Sequence, residues 1–133
     1  MSGKEPRMDR VEEIFDDAYA LYREAIGELE RGNIRKSAEK AWGATLRATK
    51  ALILARIGRE FDGARGLTKA FEEIVPQDKE IEEKLEGRYF TRESLLHGHC
   101  FYDGICEPQE HIERRIRETN LYIEDARRLA LTE

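Results

Sequence analysis

The chain has 133 residues and a mass of 15.5 kDa, enough for one hydrophobic core, so we expect a single domain over residues 1–133. Charged residues make up 38% and hydrophobic ones 40%, a balance typical of a helical bundle with charged outer faces. No stretch approaches the ~18 to 20 apolar residues of a membrane span, and no apolar signal follows the charged start. We therefore expect a cytoplasmic protein with no membrane partner.

The net charge of -5 hides a strong asymmetry along the chain. Residues 31–69 carry ten basic and three acidic side chains. Residues 1–30 carry four basic and nine acidic ones, and residues 70–133 carry nine and sixteen. Opposite charges attract, so we expect an anionic partner to bind the middle segment.

Two amphipathic helices are predicted in the first half. The first runs from Asp9 to Arg31, where apolar residues recur at intervals of three and four. After a break at Gly32, the second runs from Ile34 to about Ile57, with an alanine-rich face. Its opposite face is basic, which indicates either a solvated surface or a site for a phosphate backbone; the predicted nucleic-acid-binding residues are Lys36, Lys40, Arg47 and Lys50.

The second half is also predicted to be helical. Residues 58–66 contain three glycines and predict a loop, residues 67–75 a short helix, and residues 78–102 a long helix that can break near Gly87. Pro108 is suited to the first turn of a last helix that reaches Ala130. No segment alternates long enough for a strand, so the predicted fold class is an all-α, up-and-down bundle of about four main helices. The inward candidates of the long helix are Ile81, Leu85, Tyr89, Leu96, and Cys100 or His99.

The stretch RESLLHGHCFYDG, residues 92–104, carries the residues with the most chemistry. Glu93 precedes His97 by four residues, a spacing that lets a carboxylate orient an imidazole. Arg92 adds a permanent cation, so the segment has the groups needed for metal-free RNA cleavage. On an ideal helix, however, Arg92 and His97 are about 140° apart. They can meet only at a helix start or break, or across a dimer.

A metal site is the alternative use of the same segment. His97, Cys100, Cys106 and His111 are the candidate ligands, with Asp103 in reserve. Their spacing matches no common zinc motif, so we expect no metal and no cofactor. Two cysteines are too few for a disulfide scaffold, so we expect reduced thiols.

Two stretches resemble a known family. SAEKAWGATLRATKAL contains the pair Ala41-Trp42, and LLHGHCFYDGICEPQEHIERRIRETNLYIEDARRL contains Leu96-His97 and residues 101–103, Phe-Tyr-Asp. Together they resemble the archaeal paREP family of the HEPN superfamily. The resemblance implies a helical bundle that is commonly a homodimer.

The resemblance also implies two functions. In the wider superfamily, an arginine followed four to six residues later by a histidine marks metal-independent endoribonucleases, whose site forms across the dimer. This implies Arg92 and His97 as catalytic residues and RNA as the substrate. Glu93 is the third predicted catalytic residue, from its spacing to His97. The alternative is a non-catalytic protein-interaction module, half of a toxin-antitoxin or nucleotidyltransferase pair.

Overall fold

The computed structural model describes residues 6–132, which form a helical bundle. No strand occurs within this range, so the predicted all-α fold class is confirmed. Among the described residues, no helix combines the length and the apolar content needed to cross a bilayer. The main elements are α1 (Pro6–Glu30), α2 (Ile34–Ile57), α3 (Ala64–Ile74), α4 (residues 79–102), α5 (Gln109–Arg117) and α6 (Thr119–Leu131).

Helix α2 lies at the centre of the bundle and contacts each of the other five helices. Its alanines allow this, because small side chains let neighbouring backbones approach closely. The hydroxyl of Ser37 donates to the carbonyl of Ala25 at 2.6 Å, which joins α2 to α1. The fully buried alanines of α2 are Ala38, Ala41, Ala44, Ala48 and Ala51.

Several helix boundaries differ from the predicted ones. Helix α3 begins at Ala64, inside the predicted loop, and ends at Ile74, one residue before the predicted end. Gly87 keeps helical angles and does not break α4. The predicted last helix is two helices, because Glu118 leaves the helical region with φ -81° and ψ 2°. Helix α2 has the predicted bounds.

Helix α4 is continuous but not uniform. Its α-helical parts, Lys79–Ile81 and Gly87–Arg92, alternate with π-helical parts, Glu82–Glu86 and Glu93–Tyr102. Wide turns of this kind are rare and recur at functional sites, and here the longer one carries His97. The predicted inward side chains Ile81, Leu85, Tyr89 and Leu96 are fully buried. Of the two alternatives at the end of the helix, Cys100 is buried and His99 is exposed.

Two interactions fix the C-terminal end of α4. The guanidinium of Arg35 donates to the carbonyl of Phe101 at 2.6 and 3.1 Å, so a cation satisfies a terminal carbonyl of the helix. Cys100 and Cys106 form a disulfide, and the prediction of reduced thiols is therefore wrong. The chain reverses direction after α4, which brings the two Cα atoms to 4.3 Å.

Candidate functional site

A cavity of about 530 Å³ lies between α2 and α4, and the imidazole of His97 lines it. It combines apolar walls with charged side chains, as ligand pockets do. We call it the His97 cavity. Its lining residues are Leu21, Lys36, Glu39, Lys40, Trp42, Gly43, Leu46, Ala64, His97 and Phe101.

His97 forms a hydrogen-bonded pair with Glu39. The distance from Nδ1 of His97 to Oε1 of Glu39 is 2.8 Å. Their side chains are 41% and 35% exposed, so solvent and a ligand can reach both. A carboxylate on Nδ1 favours the tautomer that leaves Nε2 free to accept a proton. The pair thus has the arrangement of an oriented general base.

Two aromatic rings flank the imidazole. The ring centroids of Trp42 and Phe101 each lie 6.2 Å from that of His97, and Phe101 is nearly parallel to it, at 20°. Trp42 is almost fully buried and packs edge-on against Tyr89 at 5.2 Å, which anchors it. Phe101 is partly exposed and therefore presents its ring to the cavity. The site has one rigid aromatic wall and one accessible one.

The predicted basic face is divided between two cavities. Lys36 and Lys40 line the His97 cavity, and Lys40 pairs with Glu24 at 2.8 Å. Arg47 and Lys50 line a neighbouring cavity of about 350 Å³. The two cavities share Leu21, Gly43, Leu46 and Ala64.

Lys50 differs from the other three cations because it is buried. Its side chain is 7% exposed, and its ammonium lies 3.1 Å from Asp62 and 3.6 Å from Glu60. These carboxylates come from the loop between α2 and α3. Lys50 thus holds that loop against α2, while Lys36 and Arg47 are exposed.

Arg92 does not reach His97 within one chain. It is 4% exposed, and its Nη1 donates to the hydroxyl of Thr119 at 2.7 Å, on the side of α4 that faces α6. Burial lowers the pKa of Arg92 to about 10, with further lowering by Arg88 and Arg115. The structure therefore brings Lys36 and Lys40, but not Arg92, into the cavity of His97. A composite site across a dimer stays a prediction.

Glu93, the predicted orienting carboxylate, does not line the His97 cavity. It lines another cavity, together with the α3 residues Arg65, Lys69 and Glu72. The carboxylate bonded to His97 is Glu39, which comes from α2.

The candidate metal ligands do not form a cluster. Among residues 6–132, no group of three or more His, Cys, Asp or Glu side chains could hold a metal ion. The disulfide removes Cys100 and Cys106 as thiolate ligands, and zinc binds the thiolate form.

Sequence reasoning missed Glu39 and the placement of Trp42. No local pattern connects Glu39 with His97, because 58 positions separate them. The signal that could have found the site is the pair of family motifs. Their residues Trp42, His97 and Phe101 come from two distant stretches and line one cavity.

The fold and the cavity define an all-helical domain with a histidine-carboxylate pair in an aromatic pocket. Residues 13–122 match the Archaeal PaREP1/PaREP8 family, so the chain belongs to this family. No curated protein and no solved structure matches the chain significantly.

Proposed function

We propose that this protein is a HEPN-type, nucleic-acid-associated domain that cleaves single-stranded RNA without a metal ion, with His97 as the acid-base residue. One observation carries the proposal: His97 is paired with Glu39 in a cavity that also holds two lysines and an accessible aromatic ring. These are the groups that metal-free phosphodiester cleavage needs.

The chemistry follows from the free ring nitrogen of His97. Its Nε2 takes the proton of a ribose 2′-hydroxyl, and the 2′-oxygen attacks the adjacent phosphorus. The bond from phosphorus to the 5′-oxygen breaks, and the leaving oxygen takes a proton from the imidazolium of His97, directly or through one water, which restores the neutral imidazole. The products are a 2′,3′-cyclic phosphate and a 5′-hydroxyl end. Glu39 stabilises the imidazolium that forms.

The remaining groups bind the strand. Lys36 and Lys40 neutralise the charge of the phosphate, since cations aimed at the phosphoryl oxygens stabilise the transition state. The Lys40 pair with Glu24 is exposed and weak enough to yield to a phosphate. Phe101 offers a face on which a base can stack. The proposal within one chain uses these lysines; Arg92 would join only as a residue of a second copy.

Cleavage of a single-stranded RNA in the presence of a chelator tests the proposal. His97→Gln should slow cleavage about 100-fold or more, the usual contribution of acid-base catalysis. His99→Gln is the matched control, because His99 is exposed on the same helix and lies outside the cavity. If the parent leaves the RNA intact, or if His97→Gln cuts as fast as His99→Gln, the proposal is wrong.

One observation favours the non-catalytic alternative, a protein-interaction module. Tyr102 is 76% exposed and Ile105 54% exposed, and both lie on the segment that Arg35 and the disulfide fix. Exposed apolar side chains on a rigid surface are suited to a partner protein. We propose that the first partner is a second copy of the chain, and a nucleotidyltransferase is the other candidate. If neither the parent nor any variant cleaves the RNA, the protein-interaction module is favoured.

A further inference from the structure

A second cavity, of about 630 Å³, lies where α4 meets the junction of α5 and α6. It shares no lining residue with the His97 cavity. We call it the arginine cavity. Its lining residues are Glu83, Lys84, Gly87, Arg88, Thr91, Arg92, Arg114, Arg115, Glu118, Leu121 and Asp125.

Arg92 is the unusual group of this cavity. It lines the cavity although it is 96% buried, and the partner of its guanidinium is the neutral hydroxyl of Thr119, at 2.7 Å. No carboxylate of residues 6–132 lies within 4.0 Å of it. Buried charges are normally paired, because an unpaired one loses its hydration without compensation. Thr119 in turn donates to the carbonyl of Arg115, so the only proton of its hydroxyl is used.

The neighbouring cations are only partly neutralised. Arg88 pairs with Asp125 at 2.5 Å, and Arg114 approaches Glu118 only to 3.9 Å. Arg115 donates to the backbone of its own helix, at the carbonyl of His111. For Lys84 and Arg115, no carboxylate in the described range comes within 4.0 Å.

The balance of charge in the cavity is therefore positive. Five cations and three carboxylates line it, a net charge of +2, although residues 70–133 carry nine basic and sixteen acidic side chains. Burial lowers the pKa of Arg92 most, and Arg88 and Arg115 lower it further, while Tyr122 and Glu118 offset part of this effect. An anion in the cavity would relieve this repulsion and supply the missing counter-charge.

We infer that the arginine cavity is a binding site for a phosphate monoester group, held by Arg92 and Arg115 with Lys84 at the entrance. Guanidinium groups present parallel donors that match phosphate oxygens. The volume exceeds that of a phosphate alone and is in the range of small-molecule sites, and the half-exposed Leu121 offers an apolar contact for the rest of the ligand. The phosphate belongs either to a mononucleotide or to the 5′ end of an RNA strand.

Calorimetric titration with five probes tests the inference. Pyrophosphate should bind saturably, 5′-AMP should bind and adenosine should not, and an RNA oligonucleotide with a 5′-phosphate should be compared with its 5′-hydroxyl form. Tighter binding of 5′-AMP than of the phosphorylated RNA identifies a small molecule as the source, and the reverse identifies the RNA end. No saturable binding of any phosphorylated probe in the millimolar range overturns the inference.

Matched variants locate the binding. Arg115→Gln and Lys84→Gln should each weaken binding, the first by roughly tenfold, because each removes a charge-assisted contact. Both side chains reach solvent, so folding should survive, which circular dichroism checks. Arg127→Gln makes the same charge change on an exposed α6 position outside the cavity and should leave the affinity within about twofold. An equal loss in Arg127→Gln and Arg115→Gln would mean a general charge effect and overturn the site.

The His97→Gln variant separates the two proposals. It should bind the phosphorylated probes as the parent does, because His97 lines the other cavity. A loss of binding in this variant would assign the phosphate to the His97 cavity instead. RNA cleavage can fail while this binding persists, so either proposal can be wrong without the other.

Discussion

His97 and Glu39 are 58 positions apart in the sequence, and 2.8 Å separates their bonded side-chain atoms. One residue comes from the π-helical part of α4 and the other from the central helix α2. The imidazole is therefore oriented by a tertiary contact, and its orientation depends on the packing of these two helices.

Replacing Glu39 tests its role as a positioning residue. Glu39→Gln keeps a polar group of the same size but removes the charge that stabilises the imidazolium, so kcat should fall roughly tenfold or more with little change in KM. Glu93→Gln is the control and should stay within about twofold, because Glu93 lines a different cavity. Steady-state kinetics on a short RNA measures both, and equal effects of the two variants would contradict the assignment.

The basic face of α2 predicts a salt-dependent affinity for RNA. Replacing Lys40 and Arg47 together with glutamine removes two cations and leaves helix propensity nearly unchanged. The slope of log affinity against log salt should fall by about one to two units, at ~0.7 per phosphate for a single strand. Binding titrations over a salt series measure the slope.

A charge-matched control makes this test specific. Lys69→Gln with Arg127→Gln removes two exposed cations that line neither the His97 cavity nor its neighbour. The slope of this double variant should stay close to that of the parent. Unchanged binding in the Lys40 and Arg47 variant would show that the basic face is only solvated and would favour the interaction module.

Lys50 is predicted to stabilise the fold more than it contributes to binding. Lys50→Gln removes a buried ammonium and its contacts with Asp62 and Glu60. The free energy of unfolding should fall by about 1.5 to 3 kcal/mol, as for hydrogen bonds to charged groups. Urea unfolding measures it, and Lys36→Gln, at an exposed position of the same helix, should change it by less than about 0.5 kcal/mol.

Stability is predicted to fall in alkaline solution. Burial raises the pKa of Tyr89 to about 12 and also raises the pKa of Tyr122. In the unfolded chain these hydroxyls ionise near pH ~10, so the unfolded state releases protons that the folded state keeps. Their contribution to stability is fully present below that pH and is lost as the pH rises toward the folded pKa values.

Arg92 changes the free energy of unfolding in the opposite direction as the pH rises. Its folded pKa, about 10, lies below the usual 12.5, so the folded state loses this proton first and gains stability over that interval. The two tyrosines lower the free energy of unfolding and the arginine raises it, so the net effect should be a loss of stability. Urea unfolding at about pH 9 and about pH 11 measures it, and Tyr89→Phe should reduce the loss. A free energy of unfolding that rises over this interval would contradict the prediction.

The proposed homodimer predicts a mass about twice 15.5 kDa in sedimentation at micromolar concentration. Stable interfaces bury ~1,200 to 2,000 Å² of total surface, and exposed apolar residues are the best candidates to supply it. Tyr102→Ser with Ile105→Ser should shift the species toward the monomer. Ile57→Ser should not, because Ile57 is the last residue of α2, whereas the segment of Tyr102 contacts Arg35 at the start of that helix. A species of monomer mass for the parent would exclude the dimer at that concentration.

Much of the fold is readable from local patterns. The spacing of apolar residues predicts the bounds of α2 and the buried side of α4, because a helix repeats its faces every three to four residues. The division at Glu118 was not predicted, since no glycine or proline marks it.

Only part of the candidate site could be predicted from the sequence. The histidine of the site is predicted from its segment, but its carboxylate is not, because the local candidate Glu93 lines another cavity. The distribution of charge along the sequence is an incomplete guide for a similar reason. Its basic middle segment includes a buried lysine, while an acidic segment forms a positive cavity once α4 packs against α5 and α6. Both outcomes depend on which helices become neighbours.

The disulfide between Cys100 and Cys106 closes a covalent ring that contains the exposed residues 103–105. A protease that cuts inside this ring would nick the chain without releasing either piece, because the sulfur atoms still join them. The cut protein would run as one band on a denaturing gel without reductant and as two bands with it. Such a nick would leave the helix of His97 linked to α5 and α6 while opening the segment that carries Tyr102 and Ile105.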